Sequence, residues 1–286
     1  MKPSVGIVAI ARFEDLYINE WIQYHLGLGF NHIYVYDNSY DGEKPLSETI
    51  SPMYMDRTTI VPVHNKPAFQ KQAYGSGYAT FGKLHDYLLF IDIDEFFTLI
   101  RHKDICEYVE FLEEKCPGFQ DARFHWKMYD DNGVVERDMS IPVHEFFTHK
   151  SQTRMGIWHD NVTKCMLKTG IQGIYFPSVH YPKSRKVGSL KTCNGDGVEI
   201  HPTDQLVNEQ ATSNAKIRHY SSKTLSEFIQ QKLFHPDGDG YVKYSTLENR
   251  FFNYCQKTPE KIAYYNRKMK SIKPKGAMNV SQFWFG

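Results

Sequence analysis

Apolar residues early in the chain come in two alternating rhythms. Short unbroken runs at Val5–Ala11 (VGIVAIA), 32–38 (HIYVYDN), 58–63 (TTIVPV) and 87–92 (YLLFID) have the length and the β-branched or aromatic content of buried strands. Between the first two, Ile18, Trp21, Ile22, Tyr24, His25 and Leu28 recur at helical spacing. FQKQAYGSGYATFGKLH, 69–85, predicts a second helix weakened by its glycines. Strand, helix and strand repeated over residues 5–92 predict an α/β fold. Its mostly parallel sheet carries helices on both faces, and ligands bind beyond the carboxyl ends of the strands.

The second half has a different rhythm. ARFHWKM (122–128), HEFFTH (144–149), VTKCMLK (162–168) and IYFPSVHY (174–181) are short β-like pieces separated by polar, glycine-bearing loops. TLSEFIQQKLF (224–234) and the run 247–272 predict helices near the end. There is no internal repeat, low-complexity segment or flexible linker.

Composition narrows the classes. With 286 residues, 41% of them hydrophobic, the chain can bury a sizeable core. Its 34 basic and 33 acidic residues leave a net charge of +1, so nothing global marks a nucleic-acid binder. Cys106, Cys116, Cys165, Cys193 and Cys255 are scattered without a CxxC pair, which reads as structural thiols in a reducing, cytoplasmic compartment. No signal-like start or stretch of 18 apolar residues is present, so the protein is expected to be soluble or peripheral to a membrane. The tail KPKGAMNVSQFWFG sets Lys270, Lys273 and Lys275 near Phe283, Trp284 and Phe285. That mixture suits contact with the anionic inner face of a membrane, against the plainer alternative of packing on the domain.

Local charge changes the picture most at DYLLFIDIDEFFTL, 86–99, where a buried strand runs straight into Asp92, Asp94 and Glu95. Carboxylates this close repel one another, so they face solvent or carry something positive, and a divalent cation is the sharpest candidate. An extended chain turns Glu95 to the opposite face, towards a structural or salt-bridging role. Two other motifs fail on inspection. YGSGY (74–78) lacks the GKS or GKT of a P-loop. DGDGYVKYSTLE places Asp237, Asp239 and Glu248 at calcium-loop spacing, but Val242 stands where that loop needs glycine and Tyr241 fills the fifth position.

Five stretches in order carry a resemblance: IARFEDLYINEWIQYHLGLGFNHIYVYDNSYDG, QKQAY, YLLFIDIDEFF, FHWKMYDDNG and AKIRHYSSKTLSEFIQQK. Together they resemble the landmarks of GT-A glycosyltransferases of the family 2 superfamily, close to glycosyltransferase family 92. Of the Lys-Asn-Glu that usually follows the first strand, the matching Arg12, Phe13 and Glu14 keep only the Glu. The resemblance implies a nucleotide-sugar (donor) half over 1–100, an acceptor-side half over 101–222, and C-terminal helices with a tail over 223–286. It further implies transfer of a hexose, with galactose hinted, from a UDP-sugar to a glycan or lipid-linked glycan, by single displacement with inversion.

Roles follow from matching positions. Asp94 is the expected direct ligand of Mn²⁺ or Mg²⁺, Asp92 a ligand or ribose contact, and His219 a late ligand that favours manganese. Asp37 and Asn38 match the acid that holds base or ribose, against a plain turn reading of DNSYDG. Glu14 and Tyr74 belong to the donor side. His180 is expected to be structural. The general base is expected among Asp131 and Asp130, with Glu145 as fallback and an acidic DNG turn as the alternative. Two rival classes are a phosphohydrolase of the haloacid dehalogenase type, using Asp92 as nucleophile, and a non-catalytic carbohydrate-binding protein.

Overall fold

The computed structural model describes residues 2–208, 211–233 and 250–271. The calcium-like spacing at 237–248 and the tail 273–286 lie outside the described residues. The expected alternation is present: β1 (Val5–Ala11), α1 (Ile18–Gly27), β2 (His32–Asp37), a short α2 (Leu46–Thr49), β3 (Thr58–Pro62), α3 (Gln70–Phe81) and β4 (Tyr87–Phe90). β1 pairs in parallel with β2 from Gly6–His32 to Ala11–Asp37, and with β4 from Val5–Tyr87 to Val8–Phe90. β2 pairs in parallel with β3. Ala11, Asp37 and the segment after Phe90 therefore end on one edge.

The glycines of α3 serve packing. A Cβ at Gly77 would stand 2.6 Å from Val8 Cγ1, so only glycine lets the helix lie this close to β1.

The chain then turns at Asp92–Glu95, where Glu95 N–H donates to the Asp92 carbonyl at 3.1 Å, and enters β5 (Glu95–Leu99). α4 (Ile105–Lys115) starts at Asp104, whose carboxylate accepts from Glu107 N–H at 2.9 Å, and buries Ile105, Tyr108, Val109 and Leu112 along one stripe. β6 (Asp121–Met128) leads to the loop carrying Asp130 and Asp131, then to α5 (Val143–Phe146) and α6 (Arg154–His159). Residues 144–149 had the look of a strand. The structure corrects this: Pro142 opens a helical turn whose first free N–H, of Val143, donates to the Glu20 carboxylate at 3.2 Å.

β7 (Thr163–Lys168) runs antiparallel to both β4 and β6, and the hairpin β8 (Ile174–Ser178) with β9 (Tyr181–Ser184) stands apart. β10 (Thr192–Asn194), parallel to β6, and the edge strand β11 (Glu199–Ile200) follow, then β12 (Ala215–His219), antiparallel to β5 and parallel to β6. The sheet order is β11-β10-β6-β7-β4-β1-β2-β3. This is a Rossmann-type α/β architecture, parallel from β3 to β4 and mixed beyond.

α7 (Leu225–Gln231) begins on a full capping box, Thr224 with Glu227. Within the expected run 247–272, residues 251–258 are turn and loop, and α8 (Pro259–Ser271) starts at a proline, which suits a first helical turn and not a helix interior. α7, α8 and residues between them share a small core of Val135, Leu225, Phe228, Phe251, Cys255 and Tyr264.

Candidate functional site

Beyond the carboxyl ends of β1 and β4 lies a cavity of about 400 Å³. Its wall includes Glu14, Asn38, Asp92, Asp94, His219 and Lys232. Strand register explains why His219 is there. β12 pairs its last residue with Glu95, and Tyr220 N–H donates to the Asp94 carbonyl at 2.9 Å, so 125 positions of chain separation collapse into one contact. His219 Nε2 stands 3.5 Å from Asp94 Oδ1, and the ring packs on Trp126 at 4.2 Å between centroids.

The acids do carry positive charge, and it comes from lysines. Lys164 on β7, wholly buried, reaches Asp92 Oδ2 at 3.0 Å and Glu95 Oε2 at 3.6 Å. Lys232, just past α7, donates to Asp94 Oδ2 at 2.5 Å. Lys223, buried at the start of α7 with its ammonium 4.1 Å from the Tyr17 ring, adds a third cation near Glu14.

These placements set the protonation balance. Burial alone would raise the Asp94 carboxyl, but Lys232 and His219 hold it well below the ordinary carboxylate range. Burial pushes Glu14 up to about 7 against the pull of Lys223 and Lys232. Glu95 is raised well above its usual value by burial, which outweighs Lys164.

Asp92 is fixed from three sides. Tyr74 O–H donates to Oδ1 at 2.8 Å, Gln70 Nε2 donates to the same oxygen, and Lys164 holds Oδ2. Gln70 and Tyr74 lie one turn apart on α3, so a single helical face orients the carboxylate. Tyr74 itself is fully buried behind Asp92 and does not line the cavity.

Asp94 Oδ1 and His219 Nε2 offer one oxygen and one borderline nitrogen across a gap that a single ion would bridge. His219 Nδ1 is buried with no hydrogen-bond partner among the described residues, and the ring is held by its packing on Trp126. No third His, Cys, Asp or Glu joins them in a cluster among the described residues. The remaining positions of a Mn²⁺ or Mg²⁺ shell would fall to water and ligand oxygens, a division these ions accept. The pair fits a divalent ion on those terms.

Other expected site residues are placed differently. Asn38 lines the cavity while its amide clasps the main chain of Lys66 on both sides, at 2.7 and 2.8 Å. Asp37 is buried one residue earlier, its carboxylate accepting from Ser39 N–H at 3.1 Å and Leu46 N–H at 3.0 Å. It shapes the 38–46 loop and does not line the cavity. His180 is half-buried, with Nδ1 3.2 Å from the Thr163 carbonyl.

Asp130 and Asp131 are not brought to the cavity wall. Asp130 Oδ1 accepts from Asn132 N–H and Asp131 Oδ1 from Gly133 N–H, which is the turn reading. Asp131 Oδ2 also meets buried Lys261 of α8 at 2.5 Å. Its carboxyl is raised by burial, opposed by Lys261, where like-charge repulsion from Asp130 was the expected cause. Glu145 is exposed beside His144 and also lies off the cavity wall.

Lys164, Lys223 and Lys232 were missed from sequence. The only local signal was charge itself: three acids in four residues demand cations, without saying which. Phe13 adds one more unexpected feature. It lines the cavity with φ of 56°, a conformation costly for a bulky side chain, and its N–H is held by Glu43 Oε1 at 2.5 Å.

No known protein family matches the chain, and no curated protein matches it. Among solved structures it is similar to TarS of S. aureus, at 14% identity and a TM-score of 0.31 over 47% of this chain. The match spans 23% of that chain, and a likeness of this size shows neither a shared family nor a shared activity.

Proposed function

We propose that this protein is a glycosyltransferase whose cavity binds a nucleoside-diphosphate sugar, UDP-linked, with a divalent cation, and passes a hexose to a glycan acceptor. The observation that carries the reading is the convergence of Asp94, His219 and Lys232 on one cavity beyond the parallel strands. A nucleoside diphosphate leaving group develops negative charge, and preorganised cations stabilise that charge in the transition state.

Asp94 and His219 would hold the ion, Mn²⁺ before Mg²⁺ for the imidazole. When bound, it supplies Lewis-acid stabilisation of the diphosphate. Arg12, Lys232 and Arg250 line the same wall and bring further positive charge to the phosphates. Asp92, oriented by Gln70, Tyr74 and Lys164, keeps acceptor capacity for a ribose hydroxyl. Asn38, pinned through Lys66, sits where the nucleoside would rest.

The test is donor turnover. With Mn²⁺ and UDP-galactose or UDP-glucose, the protein should release UDP, slowly to water and faster with a glycan acceptor. Neither UDP binding nor UDP release across such a panel would refute the proposal.

A further inference from the structure

Asp94 has two claimants. Its Oδ1 faces His219 Nε2, the pair that fits a divalent ion, while Oδ2 takes the Lys232 ammonium at 2.5 Å. A divalent ion and an ammonium on one small carboxylate repel each other, so the carboxylate does not serve both equally.

Lys232 is also well placed to leave. Its backbone is anchored: the N–H donates to the Phe228 carbonyl at 2.9 Å, its own carbonyl accepts from Arg250 Nη1 at 2.7 Å, and α7 behind it is capped at Thr224. The side chain is a quarter exposed, in the cavity, on a flexible four-carbon stem. An anchored base with a mobile charged tip can swap one anion for another without moving the fold.

Resting on the reading of the cavity as a diphosphate site, we propose that Lys232 neutralises Asp94 in the donor-free protein and transfers its ammonium to the donor's diphosphate when the divalent ion and nucleotide bind together. In this account Lys232 is both a stand-in for the cation and a donor-binding residue. The sites for ion and nucleotide become coupled, because the phosphate gives the displaced ammonium a new partner.

The two roles predict opposite signs for one substitution. Mn²⁺ binding is followed by the electron paramagnetic resonance of free Mn²⁺, and UDP binding by calorimetry at saturating Mn²⁺, for wild type, Lys232→Met and Lys232→Arg. With Mn²⁺ alone, Lys232→Met should bind the ion about fivefold more tightly, the size of a partly exposed ion pair removed from competition. At saturating Mn²⁺ it should bind UDP about tenfold or more weakly. Lys232→Arg should restore UDP affinity towards wild type.

Mn²⁺ affinity unchanged or weakened in Lys232→Met, or UDP affinity unchanged, overturns the exchange. Lys232→Gln carries the same two arms should Lys232→Met fail to fold. Wild-type protein that binds no UDP at all overturns the nucleotide reading itself, whereas an intact wild-type UDP isotherm with the wrong sign in the variants overturns the exchange alone.

Discussion

Three acids at a strand end are held by lysines that lie far off in the sequence. Lys164 is the most constrained of them, with no exposed side-chain surface and contacts to both Asp92 and Glu95. Removing its charge leaves Glu95 buried beside Asp92 and Asp94 with nothing to offset it. Lys164→Met should therefore lower unfolding stability by about 3–5 kcal/mol, the range for breaking one side of a buried pair. Denaturant unfolding measures this, and a loss under 1 kcal/mol would show that the cluster is relieved by protonation of Glu95, whose carboxyl burial already raises. The acids at 92, 94 and 95 were legible as a charge problem because they adjoin a hydrophobic strand. The lysines were not, because strand order, set by pairings between distant segments, decides which of the many lysines arrives.

At the scale of elements, α1 and α8 each carry a buried polar side chain that ties the helix to its surroundings. His25 on α1 sits between the Trp21 carbonyl, 2.8 Å from Nδ1, and Phe97 N–H of β5, which donates to Nε2 at 3.1 Å. Those partners require a neutral ring protonated on Nδ1. Burial holds His25 at about 3, against an ordinary value of 6.5. The unfolded chain therefore takes up a proton that the folded chain refuses, and its contribution is complete above pH 6.5 and falls as pH drops from there towards 3. The thermal midpoint should decline across that window, and His25→Asn should start lower but decline less steeply. Parallel declines would remove His25 as a source of acid lability.

α8 is held through Lys261, buried with Asp131 at 2.5 Å and donating to the Gln256 carbonyl at 2.8 Å. Lys261→Met strands the Asp131 carboxylate and should cost about 3–5 kcal/mol, while adding Asp131→Asn should recover part of the loss. If the double variant is no more stable than the single one, the pair is not what docks the helix. This ion pair is also why Asp131 misled: DDNG carries a turn signal and a catalytic signal in the same letters, and only the approach of α8 separates them.

For the molecule as a whole, the α/β architecture was legible where hydrophobic period and strand length agreed, from β1 to β4. It was less legible where short strands depend on partners. β5 and β12 left no strong periodic signal, yet their pairing brings His219 to Asp94. The candidate site divides along the same line. Asp92, Asp94, Asn38 and Glu14 follow from strand ends that the local pattern predicts. Lys232, just past α7, and Arg250 arrive from the C-terminal part of the chain by tertiary packing alone. No helix among the described residues is long and apolar enough to cross a membrane.

The central claim is that the cavity takes a nucleoside diphosphate through a divalent ion held at Asp94. Thermal unfolding with UDP, measured with Mn²⁺ and then with excess chelator, tests it most directly in wild type and Asp94→Asn, since a ligand of the folded state raises the midpoint with its occupancy. The account predicts a UDP-dependent rise in wild type that collapses in chelator, and an Asp94→Asn protein that stays folded but loses the Mn²⁺-dependent part of the rise. An equal rise in chelator, or an unchanged Mn²⁺-dependent rise in Asp94→Asn, would contradict it.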